Sequence, residues 1–409
     1  MMRYYADMIL HTSGAQPIHL TYCLNIHSGE TWAAQREAID RYAREVKARL
    51  LPDRPFGLGL RVSAEAAATL AADSGQVAAF SDYLAAQGMY VFTINGFPYG
   101  TFHGTPVKEA VYDPDWRTPE RLAYTRQLID CLAAWLPAGQ EGSISTVPGG
   151  FAANVNHSSD QQIVVENLMR AVAHAADVLD RTGVEIHLGL EPEPACLLET
   201  TDDILQLVDN YILKKGLNWL RRAFGLTQAT AETWIRRHLG ICMDTCHVAL
   251  AFEDPLEAWD RLDAAGIRLS KIQLSAALET TRTRAAAQSL QAFEEPVYLH
   301  QVRIRGESGI ISSFLDLPEA LEQWHQGSVA DVARIHFHVP LFWAGADPLQ
   351  TTRSTLSPAF WQRLRSGACN HVEMETYTYS VLPATLQSNS ITEHIAKEYD
   401  WVQTQFLCP

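Results

Sequence analysis

Asp244 and His247 stand three positions apart at the end of a short apolar run, Gly240-Ile-Cys-Met-Asp-Thr-Cys-His247. Ile241, Cys242 and Met243 suit a strand buried on both faces, which puts the carboxylate and the imidazole where that strand opens into a loop. A parallel barrel keeps its chemistry there. Asp-x-x-His offers one divalent cation a hard oxygen and a borderline nitrogen. Taken alone, the same residues equally describe an Asp capping the next helix with a histidine packed beside it. What favours the metal is that other strand-like segments also end in carboxylates or histidines. Glu191 closes Glu185–Glu191 immediately before Pro192, where an unpaired carboxylate is costly and needs a partner. Glu373 and Glu375 share one face of His371–Tyr377, with Glu375 nearer the mouth if that face is the interior. His336 and His338 alternate onto one face of Arg334–Phe342. Glu191, Asp244 and Glu375 with one histidine would form an open site for Mg²⁺, Mn²⁺, Co²⁺ or Zn²⁺. The competing reading makes the glutamates partners of Arg or Lys, and for Glu193 and Glu373 that reading is preferred.

These residues need strands to position them. Apolar runs at Leu20–His27, Phe56–Val62, Met89–Ile94, Ser143–Val147, Glu185–Glu191, Gly240–Asp244, Arg268–Ser275 and His371–Tyr377 read as eight strands. Between them lie helical stretches, among them Thr31–Leu50, Ala64–Gln87, Thr118–Trp135 and Asp160–Thr182. Regular alternation without a linker predicts a parallel α/β fold, a closed (β/α)8 TIM barrel rather than an open sheet. The whole chain, 1–409, is expected to be one barrel domain with an inserted segment at about 279–333, before the last strand. Arg334–Phe342 is either an added strand or the true seventh. Asn95–Gly104 reads as a long loop whose Phe97, Tyr99, Phe102 and His103 would cover the mouth and touch substrate, or would simply pin a surface loop. Tyr298–Val302 could be a hairpin strand over the mouth or a dimer contact, so a homo-oligomer and a pathway partner both stay open.

At 47% hydrophobic residues the chain can bury a large core, and its net charge of −15 argues against a phosphate-tracking surface, so nucleic acid is not an expected partner. Seven scattered cysteines (23, 131, 196, 242, 246, 369, 408) read as reduced thiols of a cytoplasmic protein. Met1–Asp7 has no apolar signal core and no run reaches membrane-spanning length, so no membrane insertion is expected.

Together the strand ends resemble the xylose-isomerase-like barrel superfamily of sugar isomerases, ketose epimerases and apurinic endonucleases. That resemblance implies a metal-binding Glu after the fifth strand, Asp and often His after the sixth, His after the seventh and Glu after the eighth. Leu188-Gly-Leu-Glu191, Cys242-Met-Asp-Thr-Cys-His247 and Val372-Glu-Met-Glu375 match three of these. The seventh-strand position holds Gln273 instead of His, a poor ligand for the softer metals, so either His338 or Gln273 completes the set. Thr146-Val-Pro-Gly149 lacks the fourth-strand histidine of the endonucleases, so neither a trinuclear zinc site nor an apurinic endonuclease is expected. More narrowly, Asn95–Gly104, Leu190-Glu-Pro-Glu-Pro194, His336–Phe342 and Val372–Tyr379 look like the metabolite-traffic proteins of the EboE family, of bacterial secondary-metabolite clusters.

The resemblance implies a divalent-metal-dependent isomerase or epimerase acting on a small polyhydroxylated metabolite, a sugar or cyclitol, with the proton carried through a metal-bound enediolate. Glu191 and Glu375 would double as acid and base, and His247 would be a ligand or a substrate contact. The alternative is a non-catalytic binding or traffic protein that uses the same pocket.

Overall fold

In the computed structural model, residues 9–10, 17–104 and 106–407 are described; Met1–Asp7 and Cys408 lie outside them. The barrel strands are β1 (Ile18–Tyr22), β2 (Phe56–Arg61), β3 (Met89–Asn95), β4 (Gly142–Thr146), β5 (Ile186–Leu190), β6 (Leu239–Asp244) and β7 (Leu269–Leu274). There follow β8 (Leu278–Thr281), β9 (Val302–Arg305), β10 (Ile311–Phe314), β11 (Val332–Ile335), β12 (Gly345–Ala346), β13 (Leu349–Thr351) and the last barrel strand β14 (His371–Met374). Every residue of β1 to β7 and of β14 is buried, as a parallel sheet covered on both sides requires. Parallel ladders run β1-β14-β7-β6-β5-β4-β3-β2, so the chain folds as an α/β TIM barrel.

The seam between β1 and β2 closes through one bridge, Cys23 to Gly59, and through the Thr21 hydroxyl, which donates to Gly57 O at 3.0 Å and accepts from Gly59 N at 3.0 Å. Gly59 is required here. A Cβ at that position would sit 1.9 Å from Glu373 Oε1, so the missing side chain is the space that the Glu373 carboxylate occupies inside the barrel. Lys271 Nζ, from β7, meets Glu373 Oε2 at 2.5 Å with both side chains fully buried. Glu373 therefore holds the interior together one layer below the mouth.

β8 to β13 form a second, antiparallel sheet in the order β10-β9-β11-β8-β13-β12. It leaves the barrel just after β7 and returns before β14, so Val332–Ile335 is an added strand and Leu269–Leu274 is the seventh of the barrel. Two strands stop earlier than their apolar runs imply. After Tyr22 the chain winds into a buried 3-10 turn, Leu24–Ile26, and after Ile335 it becomes irregular, with Val339 N bonded to Ala276 O at 3.0 Å. Both early stops deliver side chains to the mouth.

Several helices start at threonine caps. Thr31, Thr118 and Thr200 each accept a backbone N–H in the first turn of the helix they begin. No helix among the described residues is long and apolar enough to cross a membrane.

Candidate metal centre

Asp244 ends β6 and begins a helix, Thr245–Leu250. Its Oδ1 caps that helix, accepting from Cys246 N at 2.8 Å and His247 N at 3.1 Å, and also from Ser275 Oγ at 2.6 Å. Its Oδ2 is buried and has no partner. The cap and the ligand are thus different atoms of one carboxylate. Glu375, just past β14, repeats the pattern: Oε1 accepts from Asn25 Nδ2 at 2.7 Å and Asn95 Nδ2 at 3.2 Å, while Oε2 is buried and unpartnered. Glu191 follows β5, tied by its N–H to Thr146 O at 3.0 Å, and its Oε2 is again buried without a partner.

Glu191, Asp244 and Glu375 each offer an oxygen within 4.8 Å of those of the other two. At that separation two carboxylate charges repel by about 3.5 kcal/mol at an effective dielectric of about 20, and three such pairs cannot all stay ionised without a cation. Accordingly, burial and the neighbouring carboxylates push the Glu375 carboxyl well above its ordinary range, and burial pushes Glu191 up to about 8. Burial also opposes ionisation of Asp244, but His247, His338 and its own hydrogen bonds outweigh it and hold that carboxyl low. The orphaned oxygens and the all-oxygen donor set fit a divalent cation.

Histidines form the adjoining wall. His247 follows Asp244 on its helix; His336 and His338 come from the irregular chain after β11, and all three are buried. Asp244, His247 and His338 make one group with donor atoms within 4.8 Å, and Glu193, His247 and His336 make another. Burial opposes a charge on His247, but Asp244, Glu193 and Glu191 overcome it and raise that imidazole; burial brings His338 down to about 4.

The mouth opens into a pocket lined by Glu191, Glu193, His247, His336, His338 and Glu375. Its walls are apolar and aromatic, with Phe97, Phe102, Val107, Tyr298, Leu299 and Tyr377 among them. Phe102, Tyr298 and Tyr377 pack on one another with ring centroids 5.3 Å apart. Of the residues expected to touch substrate, Phe97 and His247 reach this pocket. Tyr99 instead packs edge-on against Tyr124, and His103 against Phe102; neither lines the pocket. Gln273 is not brought there either. It lies within β7 and its Oε1 accepts from Cys242 Sγ at 2.7 Å.

Several residues that shape the mouth are not marked by the strand-end motifs. Asn25, Asn95 and Ser275 hold the carboxylates, and Tyr112 donates to Glu193 Oε1 at 2.8 Å. Arg121, fully buried, donates to Gly96 O at 2.8 Å and Phe97 O at 3.0 Å and so fixes the root of the aromatic loop. A capped helix with an arginine in its first turn, facing a Gly-Pro loop, was the available hint.

No protein-family model matches the sequence, and no curated protein matches it. Among solved structures, the chain is similar to L-ribulose 3-epimerase, at 10% identity over 95% of this chain and 93% of that one, TM-score 0.47. It is also similar to the probable 3-DHS dehydratase AsbF involved in petrobactin synthesis from Bacillus anthracis, at 11% identity over 94% and 98%, TM-score 0.46. A third is the IOLI protein with a binding zinc atom, at 11% identity over 95% and 97%, TM-score 0.43. Likeness at this level concerns the course of the backbone and assigns no residue a role.

Proposed function

We propose that the protein is a divalent-metal-dependent isomerase or epimerase of a small polyhydroxylated metabolite. The observation that carries this reading is the set of three buried, unpartnered carboxylate oxygens on Glu191, Asp244 and Glu375, drawn together where Glu191 and Glu375 line the mouth pocket. Those three residues would hold the cation, with His338 beside them through Asp244. When bound, the metal would polarise a carbonyl and its neighbouring hydroxyl and so acidify the C–H between them.

The chain's own part is positioning and proton transfer. Glu191 and Glu375 approach the pocket from β5 and β14, on separate strands, and serve as the acid and base that remove a proton and return it. Asn25 and Asn95 fix the Glu375 carboxylate through Oε1, leaving Oε2 unpartnered. His247, held by Pro192 O at 2.8 Å, contacts the substrate or the metal. Phe97, Phe102, Tyr298 and Tyr377 exclude water from the reacting carbon.

The motif likeness to the EboE family supports a substrate from a bacterial secondary-metabolite route. The buried free thiols of Cys23, Cys131, Cys196, Cys242, Cys246 and Cys369 support a reducing compartment such as the cytoplasm. A second reading, a carrier that binds a metabolite without converting it, is favoured by the apolar lining, which suits sequestration as well as turnover.

The experiment that separates them uses Mn²⁺-loaded protein in D₂O with a panel of ketoses and cyclitols. Deuterium appearing at carbon next to a carbonyl supports the enzyme. Binding without exchange supports the carrier, and neither binding nor exchange across the panel contradicts both.

A further inference from the structure

One stretch of the surface departs from the chain's acidic character. Acidic residues outnumber basic ones by 47 to 32, yet between Asp209 and Glu232 stand Lys214, Lys215, Arg221 and Arg222 and no carboxylate. Exposed arginines elsewhere take acidic partners, as Arg44, Arg181 and Arg236 do on their own helices. These four do not. Lys214 Nζ donates to Asn210 Oδ1 at 3.2 Å, Lys215 Nζ lies 4.4 Å from the centre of the Tyr211 ring, and among the described residues none of the four is ion-paired. Nearby carboxylates are engaged by other cations: Arg236 holds Glu232 at 2.8 Å, and on the neighbouring helix Ser158–Thr182 Arg170 holds Glu166 at 3.6 Å.

The same stretch carries an exposed aromatic ring. Helix Leu217–Phe224 ends at Gly225, whose φ of 67° lets the chain turn at once into helix Gln228–His238. Of residues 221–230 all but Leu226 are exposed, so the turn is a convex corner. Phe224 stands on it, 49% exposed, with the rings of Trp219 and Trp234 behind it at 6.1 and 6.0 Å between centroids. Both tryptophans are themselves only partly buried. A single exposed apolar side chain means little, but three clustered aromatics among unpaired cations have the composition of a segment that rests in lipid headgroups.

We propose that this corner docks the protein on an anionic lipid surface, with Phe224 entering the headgroup layer and Lys214, Lys215, Arg221 and Arg222 meeting its phosphates. A peptide partner takes a groove or a sheet edge, whereas Phe224 stands on a tip that headgroups can close around. The net charge of −15 does not prevent docking, because at about 0.15 M salt the field of carboxylates on other faces decays within about 8 Å. Docking of this kind needs no spanning helix and does not depend on the reaction assigned to the pocket.

Co-sedimentation of the full-length chain with vesicles tests it. At about 0.1 M NaCl the protein should sediment with phosphatidylcholine vesicles that contain phosphatidylglycerol, stay in solution with phosphatidylcholine alone, and be released at about 0.5 M NaCl. Arg221→Ala with Arg222→Ala should weaken binding about 30-fold, at roughly a factor of five per cation. Lys214→Ala with Lys215→Ala should do the same, and supplies the reading should the first pair fail to fold. Phe224→Ser should weaken binding several-fold and leave its salt dependence unchanged. Arg41→Ala with Arg44→Ala, on a different helix, should bind as wild type does. No binding to either kind of vesicle, or an equal loss in the Arg41 and Arg44 pair, overturns the proposal. Capture on poly-glutamate beads without vesicle binding assigns the corner to an acidic protein and overturns it as well.

Discussion

Replacing Glu191 by Gln should make the metal-free protein more stable, by a margin that bound metal narrows. Burial raises the Glu191 carboxyl from 4.5 to about 8, so the folded chain holds that proton more tightly than the unfolded chain does. Metal-free stability must therefore fall as pH rises from about 4.5 to about 8, and the neutral amide removes the fall. Above pH 8 the full difference corresponds to roughly 5 kcal/mol. Spread over 409 residues at about 2.1 cal/mol/K each, that is a rise in Tm of roughly 6 °C. In Mn²⁺ that margin should shrink, because a cation at a hundred times its Kd stabilises the wild type by about 2.7 kcal/mol and the variant has lost a ligand. The assay is thermal unfolding at pH 5 and pH 8.5, each with chelator and with Mn²⁺. A variant no more stable than wild type in chelator at pH 8.5, or one equally stabilised at pH 5, refutes the account of the carboxylate cluster.

Two further perturbations probe the framework. Lys271→Met leaves the Glu373 carboxyl unpaired inside the barrel and should cost about 3–5 kcal/mol, whereas Lys271→Met with Glu373→Leu should recover most of it; urea midpoints that stay equal for the single and double variants contradict the pairing. Glu398, buried on the C-terminal helix and accepting from Thr376 Oγ1 at 2.7 Å and Leu341 N at 3.1 Å, is pushed up to about 7 by burial. Glu398→Gln should therefore gain roughly 3 kcal/mol above pH 7 and nothing below pH 4.5, read from urea midpoints across that range.

The barrel strands were legible because strands buried on both faces leave unbroken apolar runs, and Glu191, Asp244 and Glu375 were legible because each interrupts such a run at its end. Their neutral partners were not. Asn25 reaches Glu375 only because the chain turns at Leu24–Ile26, where the sequence still reads as strand. Alternation on a strand put His336 and His338 on one face, and they do converge. They do so from irregular chain beyond Ile335, whose course is set by contacts such as Val339 N to Ala276 O that lie far apart in sequence. Loop 96–104 has no period, so nothing in it distinguished Phe97, which enters the pocket, from Tyr99, which packs against Tyr124. Gln273 occupied the expected strand position, yet its amide is engaged by Cys242 on the neighbouring strand.

Whether Glu191, Asp244 and Glu375 grip one ion is decided by anomalous diffraction from crystals grown with Mn²⁺. A peak bonded to one oxygen from each of the three is the expected result. A map with no peak there, and with those oxygens hydrogen-bonded to ordered water instead, contradicts it.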